Sequence, residues 1–442
     1  MYIQEFSVGN YKSFKDINTL SLMATKSVSV YADVDDHNLF SLNHSGLRMM
    51  KTKALYGANA SGKSNIIKAL SLFINIVKNS VINKSVLSEV DNFRFSVVSD
   101  TEPSYFQLIF WQDGTRYRYG FEVDREKVYS EWLYHKASLR EEPLFIREGL
   151  KVIEVNKTSF GEGDTLLNLF DVDKGENDLF RSNSLVLTTL STFGMAKISA
   201  NIIRSIASIN VVSGLGDYNL TRSAEDSMEN EDIKKYILGI LKFGDIGIKN
   251  IQHFDIGEIS SSNKVEDNKV NKKKKSDSVV VLSLRPKYNE NKEEVGLGWL
   301  PFFYESEGTK KLFEIAPCIY ESFKNETPLI IDEFDARFHP LLTKEIIKLY
   351  NSPQNKSSQL IFTTHDTNLL DNKIFRKDQI DFVEKDSYGA SHLYSLIEFK
   401  GVRNSSSFEN DYIKGKFGAI PYLGDFNKLF DLIEHGEKNE SD

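Results

Sequence analysis

The sequence predicts an α/β protein built on an open sheet, with polar residues from three separate stretches of chain meeting at one sheet edge. The first stretch is a strand-like run, Lys53-Ala54-Leu55-Tyr56, followed by Gly57-Ala58-Asn59-Ala60-Ser61-Gly62-Lys63-Ser64 and a helical pattern through Ile66, Ile67, Ala69, Leu70 and Phe73. The second is Pro328-Leu329-Ile330-Ile331-Asp332-Glu333, an apolar strand that ends in two carboxylates. The third, Gln359-Leu360-Ile361-Phe362-Thr363-Thr364-His365-Asp366, repeats that plan and ends in a histidine. Between the last two, Pro340 opens a helix through Leu341, Ile346, Ile347 and Leu349. The unit is therefore strand–helix–strand, with both polar ends on the edge where open α/β sheets bind ligands.

Gly57 to Ser64 has the form G-x-x-x-x-G-K-S, a phosphate-binding loop. Gly57 and Gly62 let the backbone bend so that successive N–H groups converge on phosphate oxygens. The nucleotide-binding set is Gly57, Asn59, Ala60, Ser61, Gly62, Lys63, Ser64 and Asn65. Lys63 supplies charge to the β- and γ-phosphates, and the Ser64 hydroxyl can hold Mg²⁺. The helix that follows offers its N-terminus to the phosphates. Asp332 is the second expected magnesium residue, acting through water. Glu333 is the expected general base for the attacking water. With His365 these residues predict ATP and Mg²⁺ as cofactors.

Glu305-Ser306-Glu307-Gly308-Thr309-Lys310-Lys311 opens another helix, with Leu312, Ile315, Ala316, Ile319 and Phe323 on one face and Pro317 inside it, where a bend is expected. Read alone, Ser306 is an ordinary helix cap. Placed between a phosphate loop and a carboxylate-ended strand, the segment resembles the signature motif of ABC-class ATPases. The resemblance implies an ABC-type P-loop ATPase head with a mixed sheet. It also implies a head-to-tail homodimer or higher oligomer, in which ATP on one subunit's loop is capped by Ser306 and Gly308 of the next. Asp335 then falls in the D-loop at the same interface, and His365 matches the switch histidine that touches the γ-phosphate. Two positions depart from the common pattern: Glu307, where transporters carry Gly, and Arg337, where a small residue is usual. Arg337 either acts as a charge across the interface or faces solvent. Asn10-Tyr11-Lys12-Ser13-Phe14, after an alternating strand (Ile3, Phe6, Val8), looks like the start of SMC-like and RecF-like ATPases. That likeness places Lys12 and Ser13 near the base and ribose; a surface turn is the alternative.

A chain of 442 residues suggests two or three lobes. We expect a first ATPase lobe over 1–90 and an antiparallel β subdomain over 91–160. A helical insertion, a lid between phosphate loop and signature, follows over 161–295, and a second ATPase lobe over 296–442. Asp113-Gly114 between alternating runs signals a hairpin. Gln107, in that hairpin, is the candidate Q-loop residue. Helices are expected near Leu179–Phe193, Ile202–Ile209 and Asp232–Leu241, without the heptads of a long coiled coil. The loop 260–278 carries Lys272 to Lys275 and either stays solvated or touches nucleic-acid phosphates. The tail reads as edge strands at Phe382–Glu384 and His392–Leu396 and a helix around Phe426–Ile433. It is too short for a TOPRIM nuclease.

The single cysteine, Cys318, excludes an internal disulfide and reads as a buried, inert thiol. No apolar run reaches the ~20 residues of a membrane span, and Met1 to Phe6 is no signal peptide, so a cytoplasmic protein is expected. A net charge of −8 argues against a globally basic nucleic-acid binder.

The whole layout resembles the RloA/AbiLi-type ATPases, relatives of the overcoming-lysogenization-defect proteins that lack the TOPRIM half. The matching stretches are Tyr11–Phe14, Ala54–Asn65, Gly114–Trp132, Gly298–Leu312, Leu329–Leu342, Gln359–Gly389 and the segment Phe408 to Pro421. The resemblance implies the sensor or regulatory subunit of a bacterial anti-phage system, answering a phage-encoded trigger and controlling a separate effector, often a nuclease, from the same operon. A RecF/SMC-like DNA-repair ATPase that binds DNA with ATP is the alternative. A transporter motor is disfavoured by the long insertion and the lack of a Gly-Gly signature.

Overall fold

Thr52–Tyr56 (β5) is buried at every position, so it needs cover on both faces and takes the middle of a parallel sheet. The computed structural model describes residues 1–42, 46–136, 140–169, 180–215, 218–244, 247–255, 279–402, 406–421 and 424–427. Around β5 runs a six-stranded sheet in the order β11 (Asn210–Ser213), β15 (Leu329–Asp332), β16 (Leu360–Thr363), β5, β17 (Ile380–Lys385), β18 (Ser391–Ser395). All neighbours are parallel except β17 and β18, so the sheet is mixed. Its register pairs Thr363 with Leu55 and Ile331 with Phe362, which brings the ends of β5, β15 and β16 to one edge.

A second sheet is antiparallel and seven-stranded: β10 (Lys151–Val155), β9 (Glu142–Glu148), β8 (Val128–Lys136), β7 (Thr115–Val123), β6 (Ser104–Gln112), β1 (Tyr2–Gly9), β2 (Asn18–Ser21). Asp113 and Gly114 both adopt left-handed φ, 49° and 79°, as a two-residue hairpin turn requires. The phosphate-loop helix, Lys63–Asn79, is wedged between the two sheets. Phe73 stacks on Phe121 of β7 (5.2 Å between centroids) and meets Phe6 of β1 edge-on. The other side of that helix shares its core with Ile330 and Ile361 of the parallel sheet. Leu329, Ile331, Leu360 and Phe362 alternate to the opposite face, under the helices Glu307–Asn325 and Pro340–Tyr350. Two small sheets complete the strands: β3 (Leu39–Ser41) with β4 (Arg48–Met50), and β12 (Asn250–Asp255), β13 (Val279–Tyr288) and β14 (Glu294–Pro301), which leads into the Ser306 helix.

The expected boundary at 90/91 crosses a continuous sheet, because β6 pairs with β1 from Trp111 against Tyr2 to Tyr105 against Gly9. The segment expected as a helical insertion donates β11 to the nucleotide sheet, a run of four residues that is too short to show a period. Among its described residues the helices are Gly161–Leu169, Val186–Ser191, Lys197–Ala207, Tyr218–Ser227 and Glu231–Phe243, and Val186–Ser191 falls in the stretch expected as Leu179–Phe193. Of the expected helices, this first one is shorter than expected, and the buried Glu131 carboxylate caps it by accepting from the Val186 and Leu187 N–H groups. Phe382–Glu384 belongs to an interior strand, flanked by β5 and β18, so of the two expected edge strands β18 alone lies at an edge. The Glu307–Asn325 helix continues unbroken through Pro317. In Pro340–Tyr350 the core face is Thr343, Ile346, Ile347 and Tyr350, while Leu341 and Leu349 are exposed. The loop 260–278 lies outside the described residues, as does all of the expected terminal helix beyond Asn427. Among the described residues no helix is long and apolar enough to cross a membrane.

An ion pair holds the sheet together at the strand that feeds the phosphate loop. Lys53 Nζ on β5 lies 2.7 Å from Asp381 Oδ1 on β17, with both side chains almost fully buried. Burial pushes the Asp381 pKa up, and the Lys53 charge opposes that. Removing one partner leaves an uncompensated buried charge, which costs about 3–5 kcal/mol. Lys53→Met should lose stability of that order in urea titration at neutral pH; an unchanged midpoint would show that the pair is dispensable.

Candidate functional site

The chain leaves β5 and turns through Gly57–Gly62 into the Lys63–Asn79 helix. A Cβ on Gly62 (φ 114°) would sit 2.4 Å from Ser391 Oγ and 2.7 Å from Ser13 Oγ, so only glycine fits there. Gly57 is equally crowded, since a Cβ would lie 2.3 Å from Val383 O. No acidic residue occupies the first turn of the helix, which leaves its positive end free for an anion. Lys63 Nζ donates to Gly57 O (2.8 Å) and Ala58 O (3.0 Å). Burial lowers its pKa to about 8, against the pull of Asp332, Glu333 and Asp335. Asn59 and Ala60 are exposed, and the buried Ser61 hydroxyl has no partner. An orphaned buried hydroxyl on the loop that also carries Lys63 and leads into a helix N-terminus fits a polyphosphate.

Next to the loop, Asp332 gathers the other strands. Its Oδ1 accepts from Ser64 Oγ (3.1 Å) and from Thr363 Oγ1 (2.6 Å). Thr363 Oγ1 in turn accepts from the Glu333 N–H at 2.7 Å. Ser64 and Asp332 are thus adjacent oxygen donors, suited to a hard cation that takes its remaining ligands from phosphate and water. Glu333 follows with φ 53°, a left-handed conformation that costs of the order of 1–3 kcal/mol outside glycine and persists only when its surroundings hold it. Asp335 brings the third strand in: both its carboxylate oxygens lie 3.3 Å from the His365 backbone N–H. His365 stands exposed just past the end of β16, and partial desolvation together with the Lys63 charge pushes its pKa below the usual histidine value, which favours the neutral ring.

Of the two N-terminal residues, Ser13 joins the loop. Its Oγ accepts from Asn65 Nδ2 (2.8 Å), and its carbonyl accepts from the Ser391 N–H (2.7 Å). Lys12 turns instead to Asp91, with Nζ 3.4 Å from Oδ2. Ser306 caps its helix by accepting from the Thr309 N–H (3.2 Å), and remains exposed. Gly308 packs so tightly on the turn after Asp335 that a Cβ would lie 2.9 Å from Arg337 O. Arg337 pairs with Glu307 of its own chain at 2.8 Å, so the two residues that depart from the common signature and D-loop patterns answer each other. The Gln107 side-chain Oε1 accepts from Trp132 Nε1 (3.1 Å) on the seven-stranded sheet. Burial raises the Cys318 thiol pKa to about 11, the inert state its apolar setting predicts.

Four residues of this site were not singled out by the sequence. Thr363 is the hydroxyl bridge between the two carboxylate residues. Ser391 donates to Ser61 O (2.5 Å) and braces the loop from β18. Gly214, just past β11, donates its N–H to Asp332 O (2.6 Å), and a Cβ there would fall 2.0 Å from Glu333 O. Lys311 reaches the backbone after Glu333. Only Gly214 had a legible signal, a glycine closing an apolar run.

A phosphate loop, a strand-end aspartate, a neighbouring glutamate and a histidine on one edge of a mixed sheet define a nucleotide-binding domain of P-loop ATPase type. The chain belongs to the family described as "AAA domain, putative AbiEii toxin, Type IV TA system", whose profile matches residues 54–371. Solved structures that resemble it include an SMC head domain from Thermotoga maritima, with 13% identity over 89% of this chain and 99% of that one at a TM-score of 0.39. An Smc head bound to the C-terminal winged-helix domain of ScpA shows 14% identity over 89% and 98% at a TM-score of 0.42. An Smc head with an extended coiled coil, bound to the C-terminal domain of ScpA derived from Pyrococcus furiosus, shows 15% over 89% and 96% at 0.38. At these scores the likenesses carry no part of the argument. A search of curated protein sequences gives no match.

Lys63→Ala should weaken ATP binding roughly 10- to 100-fold, the worth of a charge-assisted hydrogen bond. Titration calorimetry with a non-hydrolysable ATP analogue checks it; an unaltered affinity would remove Lys63 from the phosphate site.

Proposed function

We propose that this protein hydrolyses ATP with Mg²⁺, oligomerises head-to-tail through its ATPase heads, and acts as the sensor or regulatory subunit of a bacterial anti-phage system that controls a separate effector, a nuclease being the leading candidate. The observation that carries the catalytic part is the placement of Glu333. Its backbone N–H is tied through Thr363 to the carboxylate that Ser64 also touches, so its side chain starts beside the expected magnesium and γ-phosphate. In this reading Lys63 and the loop N–H groups hold the phosphates, Ser64 and Asp332 hold the metal, and Glu333 takes a proton from the attacking water. Neutral His365 donates to the γ-phosphate oxygens. Bound Mg²⁺ would neutralise charge on the β- and γ-phosphate oxygens.

The exposed Ser306 at a helix N-terminus supports the oligomeric part, because the first-turn N–H groups there can face an anion brought by another copy while Lys310 and Arg337 offset the first-turn carboxylate of Glu307. The resemblance of the motif set to RloA/AbiLi-type ATPases supports the defence role. So does the family's own description, which names a toxin–antitoxin setting and hence a partner.

Glu333→Gln should keep ATP binding, slow phosphate release by about 10²- to 10⁴-fold, and hold the oligomer closed. Gel filtration with ATP should then show a larger species than without it; an unchanged elution volume counts against ATP-dependent closure. Nuclease activity in the purified chain alone would overturn the division of labour with an effector.

A further inference from the structure

Lys311 is 1% exposed, five residues beyond the Ser306 cap, and has no carboxylate against its ammonium among its hydrogen bonds. Its Nζ donates instead to three backbone carbonyls of one turn: Ala336 O at 2.6 Å, Phe334 O at 2.8 Å and Glu333 O at 3.4 Å. The Phe338 ring closes the cage, its centroid 4.4 Å away. Burying an ammonium is costly, and an apolar side chain of similar length avoids that penalty. Burial lowers the Lys311 pKa to about 8, so the cost is visible. What the ammonium achieves, and a methyl group cannot, is to hold several carbonyls facing one point.

Those carbonyls belong to an irregular turn. Glu333 and Arg337 are both left-handed, at φ 53° and 67°, and neither is glycine. On the sheet side the turn is fixed by Thr363, whose carbonyl accepts from the Phe334 N–H (3.0 Å) and whose hydroxyl accepts from the Glu333 N–H. On the helix side Lys311 makes the corresponding ties, to the carbonyls rather than the N–H groups.

We infer that Lys311 is a positioning residue for ATP hydrolysis: by gathering the carbonyls of Glu333, Phe334 and Ala336 it fixes the peptide planes after Glu333, and so fixes where the Glu333 carboxylate points. This rests on the reading of Glu333 as the base. Because Lys311 stands on the helix that Ser306 caps, it makes the aim of Glu333 depend on where that helix sits.

The test is a double-mutant cycle on full-length protein, read by single-turnover ATP hydrolysis and by the Kd of a non-hydrolysable analogue. Lys311→Met should lower the hydrolysis rate at least tenfold with the Kd within about twofold of wild type, since the phosphate loop is untouched. In the Glu333→Gln background the same substitution should change the rate by less than twofold, because no aimed base remains. Lys311→Arg, which keeps a cation, should recover part of the loss. A Lys311→Met defect of equal size in both backgrounds, or none in the wild-type background, overturns the inference. Should Lys311→Met fail to fold by circular dichroism, Lys311→Gln, which keeps a donor, takes its place with the same criteria. A wild-type chain that binds ATP without hydrolysing it removes the proposed activity itself, and this inference with it. An active wild type with an indifferent Lys311 variant removes only the inference.

Discussion

Asp332 Oδ1 is the point to which the rest of the site is tied. Two hydroxyls donate to it, one from the first turn of the phosphate-loop helix and one from the end of β16. Each is close to its own strand end, so the pair can form only when β5, β15 and β16 are in one register. A slip of one residue would turn Asp332 to the other face of the sheet and part it from both. Polar satisfaction of one carboxylate thus enforces the arrangement that sets the Ser64 and Asp332 oxygens side by side, where the proposed metal would sit. The charge is affordable there because two hydroxyls solvate it and because the edge opens to the position of the expected phosphates.

Two sheets clamping one helix make that register durable. The Lys63–Asn79 helix is buried on most of its surface, from Ile66 and Ile67 to Ile76 and Val77, and leaves the stripe Lys68, Ser71, Asn75 and Lys78 towards solvent. Its aromatic contacts go to β1 and β7 and its aliphatic ones to the parallel sheet. Packing on both sheets holds the helix in place, and with it the N-terminal N–H groups that face the position expected for a phosphate. The seven-stranded sheet is therefore part of the ATPase head, and its continuity with β1 brings Ser13 against Asn65 and the loop.

The motif residues and the elements that carry them were legible because each has a local cause. The glycines, the apolar strands and the capped helices announce themselves within a dozen residues. The Asp113-Gly114 hairpin was legible for the same reason. What stayed hidden depends on contacts between residues far apart in the chain. β11 is a four-residue strand whose role comes from lying beside β15. Thr363, Ser391 and Lys311 are ordinary residue types, and nothing near them in the sequence marks what they touch 30, 330 and 25 residues away. The expected edge strand at Phe382 failed through the same blindness: its alternation is visible, but its pairing with β5 is not. Lys12 and Ser13, adjacent in sequence, part company because Lys12 takes a left-handed φ of 49°, and its ammonium ends against Asp91 while Ser13 faces the loop.

The intrachain ties between the Ser306 helix and the turn after β15 bear on what the proposed head-to-tail oligomer could do. Glu307 pairs with Arg337, Gly308 packs on Arg337 O, and Lys311 holds the carbonyls from Glu333 to Ala336. The Ser306 helix and the Glu333 turn are therefore one mechanical unit within each chain. In the proposed assembly a triphosphate held by one copy docks on Ser306 of the next, while the Glu333 attached to that Ser306 serves the other site. Engagement at one site then constrains the base at its neighbour, without any change being carried across the sheet. Such an arrangement suits a regulator better than a free-running ATPase, because hydrolysis at each site waits on the occupancy of another, and a partner that displaces the Ser306 helix can hold or release both.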